Sequence, residues 1–437
     1  MPRLSVLLIA AALLAGCAAP RSSASPPDPA PAVEAPLWTP GAPADSVAGR
    51  VLDRCRRFGM SRSGKDVCLE RAVISLLEPA GVAATMAVLD RLVALDPDAK
   101  REAHALAHGV GIAAYRGRES VGSTFAACPP TQISGCYHGV IQGYFRDLER
   151  TGGVDAEALN ALCEEHRPRR FVFFQCAHGL GHGLLALNGR HLPRALEQCD
   201  LLRDEWVRSG CYGGVFMENL VAVTHPHNTA AGHGERSGAP AAGDSGHAHH
   251  HGTHAAGAAW KPIDPDDPLY PCTVVAEKYQ AECYGMQTAA ILHLNRGNVA
   301  AAGETCAQAP GRMARACFFS LGRDITGLAE QDPDRSEALC RRVEEPGRGW
   351  CLVSVAENLV NHVADARPGL AFCRRVQGAE QKDLCYRAVA GMLYEIEPEA
   401  ARRAELCAGV EPAHAAACRE RARVPAEEEK AAGLPPL

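Results

Sequence analysis

Eighteen of the nineteen cysteines fall into nine successive pairs, with partners 8 to 13 residues apart, and nothing else in the chain constrains its fold so much. The pairs are Cys55 with Cys68, Cys128 with Cys136, Cys163 with Cys176, Cys199 with Cys211 and Cys272 with Cys283. They continue with Cys306 and Cys317, Cys340 and Cys351, Cys373 and Cys385, and Cys407 and Cys418. An even, regularly spaced set of this kind predicts a disulfide framework in an exported protein. Zinc thiolates are disfavoured because no pair has the Cys-x2-Cys spacing, and c-type haem is excluded by the absence of Cys-x-x-Cys-His.

The pairs also repeat. First members at 272, 306, 340, 373 and 407 are spaced by 33 or 34 residues, and Cys163 to Cys199 gives 36. A period in this range marks an array of helical hairpins. In one unit, Ser336 to Cys340 ends a short helix, Glu345-Pro346-Gly347-Arg348-Gly349 makes a turn, and a second helix runs from about Cys351. Leu352, Val355, Leu359 and Val363 give that second helix its apolar spacing. Eleven residues of continuous helix would hold the two sulfurs about 16 Å apart, too far to bond. The Pro-Gly breakers fold the chain back instead, so each pair is expected to staple its own hairpin; crossed pairing between neighbours is the other connectivity. Scarce aromatics and abundant alanine suit closely packed helices.

In period and hairpin design, residues 160–420 resemble a disulfide-stapled relative of tetratricopeptide and Sel-type repeat proteins. The resemblance implies an all-α fold, a solenoid-like array of stapled hairpins with a period of about 34 residues, and a binding surface for an envelope protein or peptide.

The ends read differently. Arg3, the apolar run Leu4 to Leu14 and then Leu14-Ala15-Gly16-Cys17 resemble the lipobox of bacterial lipoproteins, which implies that residues 1–17 are a signal peptide and that Cys17 is lipidated. Ala18 is not the Asp that retains such proteins in the inner membrane. The resemblance therefore implies a lipid anchor, such as palmitate, in the outer membrane, facing the periplasm or the surface. Residues 18–44 are a Pro/Ala/Ser-rich tether, 45–222 an N-terminal set of hairpins, 223–262 a His-rich insert, 263–420 a C-terminal set and 421–437 a charged tail. A net charge of −6 with dispersed basic residues argues against nucleic acid as a partner.

The histidines carry the chemistry. In 171–187, FVFFQCAHGLGHGLLAL, His178 and His182 are four apart and share one side of a helix. They lie opposite Leu180, Leu184 and Leu187, facing away from their own hairpin's core. Counted from the second cysteine, positions +2 and +6 hold His138 and Gln142 after Cys136, His178 and His182 after Cys176, and Gly213 and Met217 after Cys211. The preceding helix aligns His104 and His108 with the same positions, HALAHGVG against HGLGHGLL. Equivalent positions of stacked repeats line up, so five histidines from three helices are expected to converge. Glycines crowd the same helices, and each costs roughly 0.5–1 kcal/mol relative to Ala in a helix interior, so close backbone approach must gain something, either tight helix packing alone or room for a bound ion or small ligand.

Imidazoles without thiolates favour zinc or copper. The metal candidates are His104, His108, His138, His178 and His182, with Gln142, Met217 and Glu218 as auxiliary residues. Residues 225–254 add His225, His227, His233, His247, His249, His250, His251 and His254, a tract suited to loose metal capture. Catalytic residues are not identifiable. Gly243-Asp244-Ser245-Gly246 resembles a serine-protease loop but lies inside the His tract, and His104-Ala-Leu-Ala-His108 lacks the Glu of a zinc protease. Three functions remain: a membrane-anchored metal-binding lipoprotein that buffers or delivers its ion, a protein-interaction scaffold with structural histidines, and a metal-dependent envelope enzyme.

Overall fold

A computed structural model describes residues 36–56, 62–117, 121–151, 154–224 and 260–424. Cys17, the tract histidines from His225 to His254 and residues 243–246 lie outside the described residues. Among those that are described the fold is all-α, 21 helices with no strand. The chain opens with α1 (Ala44–Arg56), α2 (Arg62–Ile74), α3 (Leu77–Leu95), α4 (Pro97–Arg101) and α5 (Ala103–Ala114). Next come α6 (Val121–Ala127), α7 (Gly135–Thr151), α8 (Ala156–Leu162), α9 (Arg170–Leu187), α10 (Leu192–Cys199) and α11 (Glu205–Thr224). Past the insert follow α12 (Glu277–Tyr284), α13 (Thr288–Leu294), α14 (Val299–Ala307), α15 (Met313–Leu328) and α16 (Pro333–Cys340). The series closes with α17 (Gly347–Val363), α18 (Ala366–Cys373), α19 (Ala379–Ile396), α20 (Ala400–Ala408) and α21 (Pro412–Arg421).

All nine cysteine pairs bond in sequence, with Cα–Cα separations of 5.3 to 5.8 Å. From α14 onward each bond joins a short helix to the longer helix after it, as hairpin stapling predicts. Four of the short helices start on side-chain caps: Asp155, Asn298, Asp332 and Asp365 each accept a backbone N–H of the first turn. In the unit used above as an example, the second helix begins at Gly347, four residues earlier than its spacing suggests. Pro346 occupies the N-cap position, where the ring's fixed φ suits a helix start, so the turn is shorter than the Pro-Gly-x-Gly string implies.

The longer helices pack side by side: α5 on α7, α7 on α9, α9 on α11, then α15 on α17 and α17 on α19, with α12 and α13 bridging α11 to α15. The array curls. Helix α17 reaches the turn at 132–134, α19 touches α9, and Arg170 Nε lies 3.0 Å from a Glu395 oxygen across 225 residues. Leu37, in the segment read as a tether, is buried, and its carbonyl accepts Arg50 Nε. No single helix among the described residues is long and apolar enough to cross a membrane.

Glycine sets how closely the site-bearing helices cross. A methyl group on Gly111 would overlap the Cys136 carbonyl, and one on Gly139 the His108 carbonyl, so α5 and α7 meet backbone to backbone. The same exchange joins α9 and α11, where Gly181 faces the Cys211 carbonyl and Gly214 the His178 carbonyl. These crossings correct the alignment of the first helix. His108, not His104, takes the place of His178, and His104 takes that of Phe174, one turn earlier. The letter match HALAHG to HGLGHG favours the other register, but the glycine contacts decide the packing.

Candidate metal centre

The five histidines do meet. His138, on α7, is at their centre, its ring centroid 4.9 to 5.6 Å from those of His104, His108, His178 and His182. His138 and His182 are each 1% exposed, His178 6%, and only His104 retains intermediate exposure. The face turned away from the hairpin core is thus covered by the neighbouring long helices instead of lying on an open surface.

Four of the five rings have one nitrogen committed to a side-chain or backbone oxygen at 2.9 to 3.1 Å. His104 Nδ1–H donates to the Gln132 carbonyl at 2.9 Å, and His108 Nδ1–H to Gln142 Oε1 at 3.1 Å. His138 Nε2–H donates to Gln175 Oε1 at 2.9 Å, and His182 Nδ1–H to Glu218 Oε2 at 2.9 Å. His178 bonds the Gly210 carbonyl. Gln142 Nε2–H donates to Glu218 Oε2 at 3.1 Å, which fixes its amide so that the oxygen faces His108. Oxygen acceptors require the proton on the nitrogen they face, so in a neutral ring the other nitrogen carries a lone pair.

The second nitrogens of His104, His108 and His138 converge. His104 Nε2 and His108 Nε2 are 3.1 Å apart, and His108 Nε2 and His138 Nδ1 3.3 Å. Two facing lone pairs at this distance repel and cannot form a hydrogen bond. Four nitrogens around a tetrahedral zinc, at bonds of about 2.0–2.1 Å, stand about 3.3–3.4 Å apart, so the spacing fits a shared ion. His182 Nε2 is buried with no hydrogen-bond partner. Two triads can be drawn, His104–His108–His138 and His138–His178–His182, each with its ligand atoms within 4.8 Å of one another.

Burial disfavours the charged form of three of the rings. Burial, opposed by the Gln132 carbonyl and reinforced by His182 and Arg323, lowers His104 to about 4. Burial and then the neighbouring imidazoles push His138 and His178 well below the ordinary histidine value. A neutral imidazole is the form that binds metal.

Sequence reasoning places Gln142 and Glu218 near the site, and both are in its outer layer. Met217, next to Glu218 but turned about 100° around the helix, is half-buried, and of the two only Glu218 reaches the histidines by a hydrogen bond. Gln175, Gln132 and the Gly210 carbonyl carry no signal in the sequence. Gln132 is held by a left-handed turn in which Gln132, Ile133 and Ser134 have φ of 55°, 52° and 60°. Such backbone is costly for non-glycine residues, above all for β-branched Ile133, and recurs at functional sites. Here it aims the Gln132 carbonyl at His104, while Gln132 Nε2–H donates to Asp90 Oδ1 at 2.7 Å.

Comparison with protein-family models, with curated proteins and with solved structures finds no match to this chain.

Proposed function

We propose that this protein is an envelope lipoprotein, anchored through Cys17, that holds a zinc or copper ion in its five-histidine cluster and buffers or delivers it. One observation carries the metal reading: five imidazoles, four of them buried, converge on His138, and four of the five give one nitrogen to an oxygen acceptor. Outer-layer acceptors that fix tautomers in this way accompany histidine ligands in metal sites. In neutral rings lone pair would face lone pair across the 3.1 Å between His104 and His108, a repulsion that an ion held between them would relieve. The all-nitrogen donor set supports zinc or copper over harder ions.

Holding is favoured over hydrolysis. Glu218, the nearest carboxylate in sequence, spends one oxygen on both His182 and Gln142, which supports a role in orienting ligands. The lipobox resemblance, the nine disulfides and the tract at 225–254 support an exported protein that meets metal outside the cytoplasm. Metal analysis of oxidatively folded protein tests the reading, with stoichiometric zinc or copper expected. Protein that carries none and takes up none after incubation with either ion would leave the cluster structural. For the anchor, Cys17→Ser should release the protein from membranes, and persistent membrane association would refute it.

A further inference from the structure

The two triads share a ligand. We propose that they are overlapping seats for a single ion, which enters at His104 and His108 and passes by ligand exchange to His178 and His182, with His138 bound throughout. This rests on the metal-binding reading above and adds to it a stoichiometry and a direction.

The stoichiometry comes from His138. Its Nε2–H is committed to Gln175 Oε1, which leaves Nδ1 as its one lone pair. Both triads need that lone pair, so two ions cannot each have three imidazoles at once. Nδ1 is 3.3 Å from His108 Nε2, within the first seat. In the second seat the free His182 Nε2 has no partner at all.

The direction comes from burial. His104 has intermediate exposure and is the least enclosed of the five, whereas His178 and His182 are 6% and 1% exposed. An ion arriving from solvent therefore meets His104 first. The His108 and His182 rings are neighbours, 5.3 Å between centroids, so the ion moves a few ångströms without passing through water. Each step exchanges one neutral imidazole nitrogen for another. The exchange needs no change of oxidation state.

The outer layer ties the seats together. Gln142 accepts from His108 of the first seat and donates to Glu218, which accepts from His182 of the second. One carboxylate thus fixes the tautomer of a ligand on each side.

The test uses the full chain with the eight histidines of 225–254 changed to asparagine, so that the tract takes up no metal. After zinc loading and desalting, one zinc per chain is expected. His182→Ala should weaken equilibrium affinity by about a hundredfold or more, the upper range even for outer-layer losses. His104→Ala should weaken affinity less than His182→Ala does, yet slow both uptake and removal by a chelator. His138→Ala should hold no zinc after desalting. Should that variant misfold by circular dichroism, His138→Asn, which keeps a polar atom near the Nδ1 position, takes its place with the same expectation. Two tightly bound zinc ions, zinc retained without His138, or unchanged exchange rates in His104→Ala would each overturn the shared-seat proposal. Absence of zinc from the starting protein would instead refute the metal reading itself.

Discussion

The crossing of α9 on α11 recurs in the C-terminal half as that of α15 on α17, and the two differ just where the metal chemistry would be. Gly181 and Gly322 each stand five residues after a cysteine and meet the backbone of the next long helix, at the Cys211 and Cys351 carbonyls. The His178 carbonyl faces Gly214 in the first crossing, and the Phe319 carbonyl faces Ser354 in the second, where Ser354 Oγ–H donates to it at 2.6 Å. Where the first crossing offers His178 and His182, the second offers Phe319 and Arg323. The Arg323 side chain bonds the Gly285 carbonyl, Ser320 and Asp324 and is satisfied as a structural group. The scaffold therefore forms without histidines. Those in the N-terminal half are additions to a crossing that does not need them, which is the strongest argument that they serve a ligand.

The largest break in this comparison is steric. Gly214→Leu places a side chain against the His178 carbonyl, which is backbone and cannot rotate away. Overpacking of this sort costs about 1–3 kcal/mol or more. We expect a lower melting temperature and loss of metal together. A variant of Gly214 with normal stability would mean that the backbones do not meet as described.

The next effect separates scaffold from chemistry. His178→Phe gives the first crossing the residue of the second. Helical content by circular dichroism should persist, while zinc affinity falls by about a hundredfold, since a ligand is lost along with its outer-layer bond. Phe319→His should gain no metal, because the side chains beside position 319 are those of Trp350 and Arg315, neither of them an imidazole. His293, exposed on α13, is a suitable control for substitution. His362 is not, being buried with its Nδ1 unpartnered.

His362 gives a smaller, pH-dependent effect. Burial first, then His104 and Lys100, lower it to about 3, against the ordinary 6.5. Between these values the unfolded chain takes up a proton that the folded chain refuses, so stability falls as pH drops from about 6.5 toward 3 and is unaffected above that window. The slope is at most about 1.4 kcal/mol per pH unit for one such group. His104, lowered to about 4, acts in the same sense in metal-free protein. His362→Leu should flatten the acid limb of a urea-melt series, and an unchanged limb would contradict the burial of a neutral ring.

How much of this was legible from the sequence follows from the range of each interaction. The staples were, because both cysteines of each pair lie within 13 residues and the turn between them is local. The convergence of five histidines was legible through the repeat, but their register on α5 was not, since glycine contacts between Gly111 and Gly139 settle it across 28 residues. Gln175 and the Gly210 carbonyl gain their roles only from helix packing. The left-handed turn at 132–134 has none of the Gly or Asn residues that announce positive φ. The curl that carries α17 to that turn sums small rotations per hairpin, which no local pattern encodes.

The smallest prediction tests the second crossing by giving it the residue of the first. Ser354→Gly removes a hydroxyl that donates to the Phe319 carbonyl and also accepts Asn358 Nδ2–H at 3.3 Å. Asn358 keeps its shorter bond to the Ser354 carbonyl at 2.9 Å, so one acceptor is lost without stranding its donor. The Phe319 carbonyl loses the Ser354 hydroxyl, worth about 1 kcal/mol net. Glycine inside a helix adds roughly 0.5–1 kcal/mol. Against this, removing Cβ leaves a glycine opposite Gly322, as Gly214 stands opposite Gly181, and lets the helices close as α9 and α11 do. The net expectation is a destabilisation of about 1 kcal/mol, read as a lower urea midpoint at unchanged m-value. A loss several times larger would mean that the serine hydroxyl, and not the small residue, holds α15 to α17, and the two crossings would then be related in outline only.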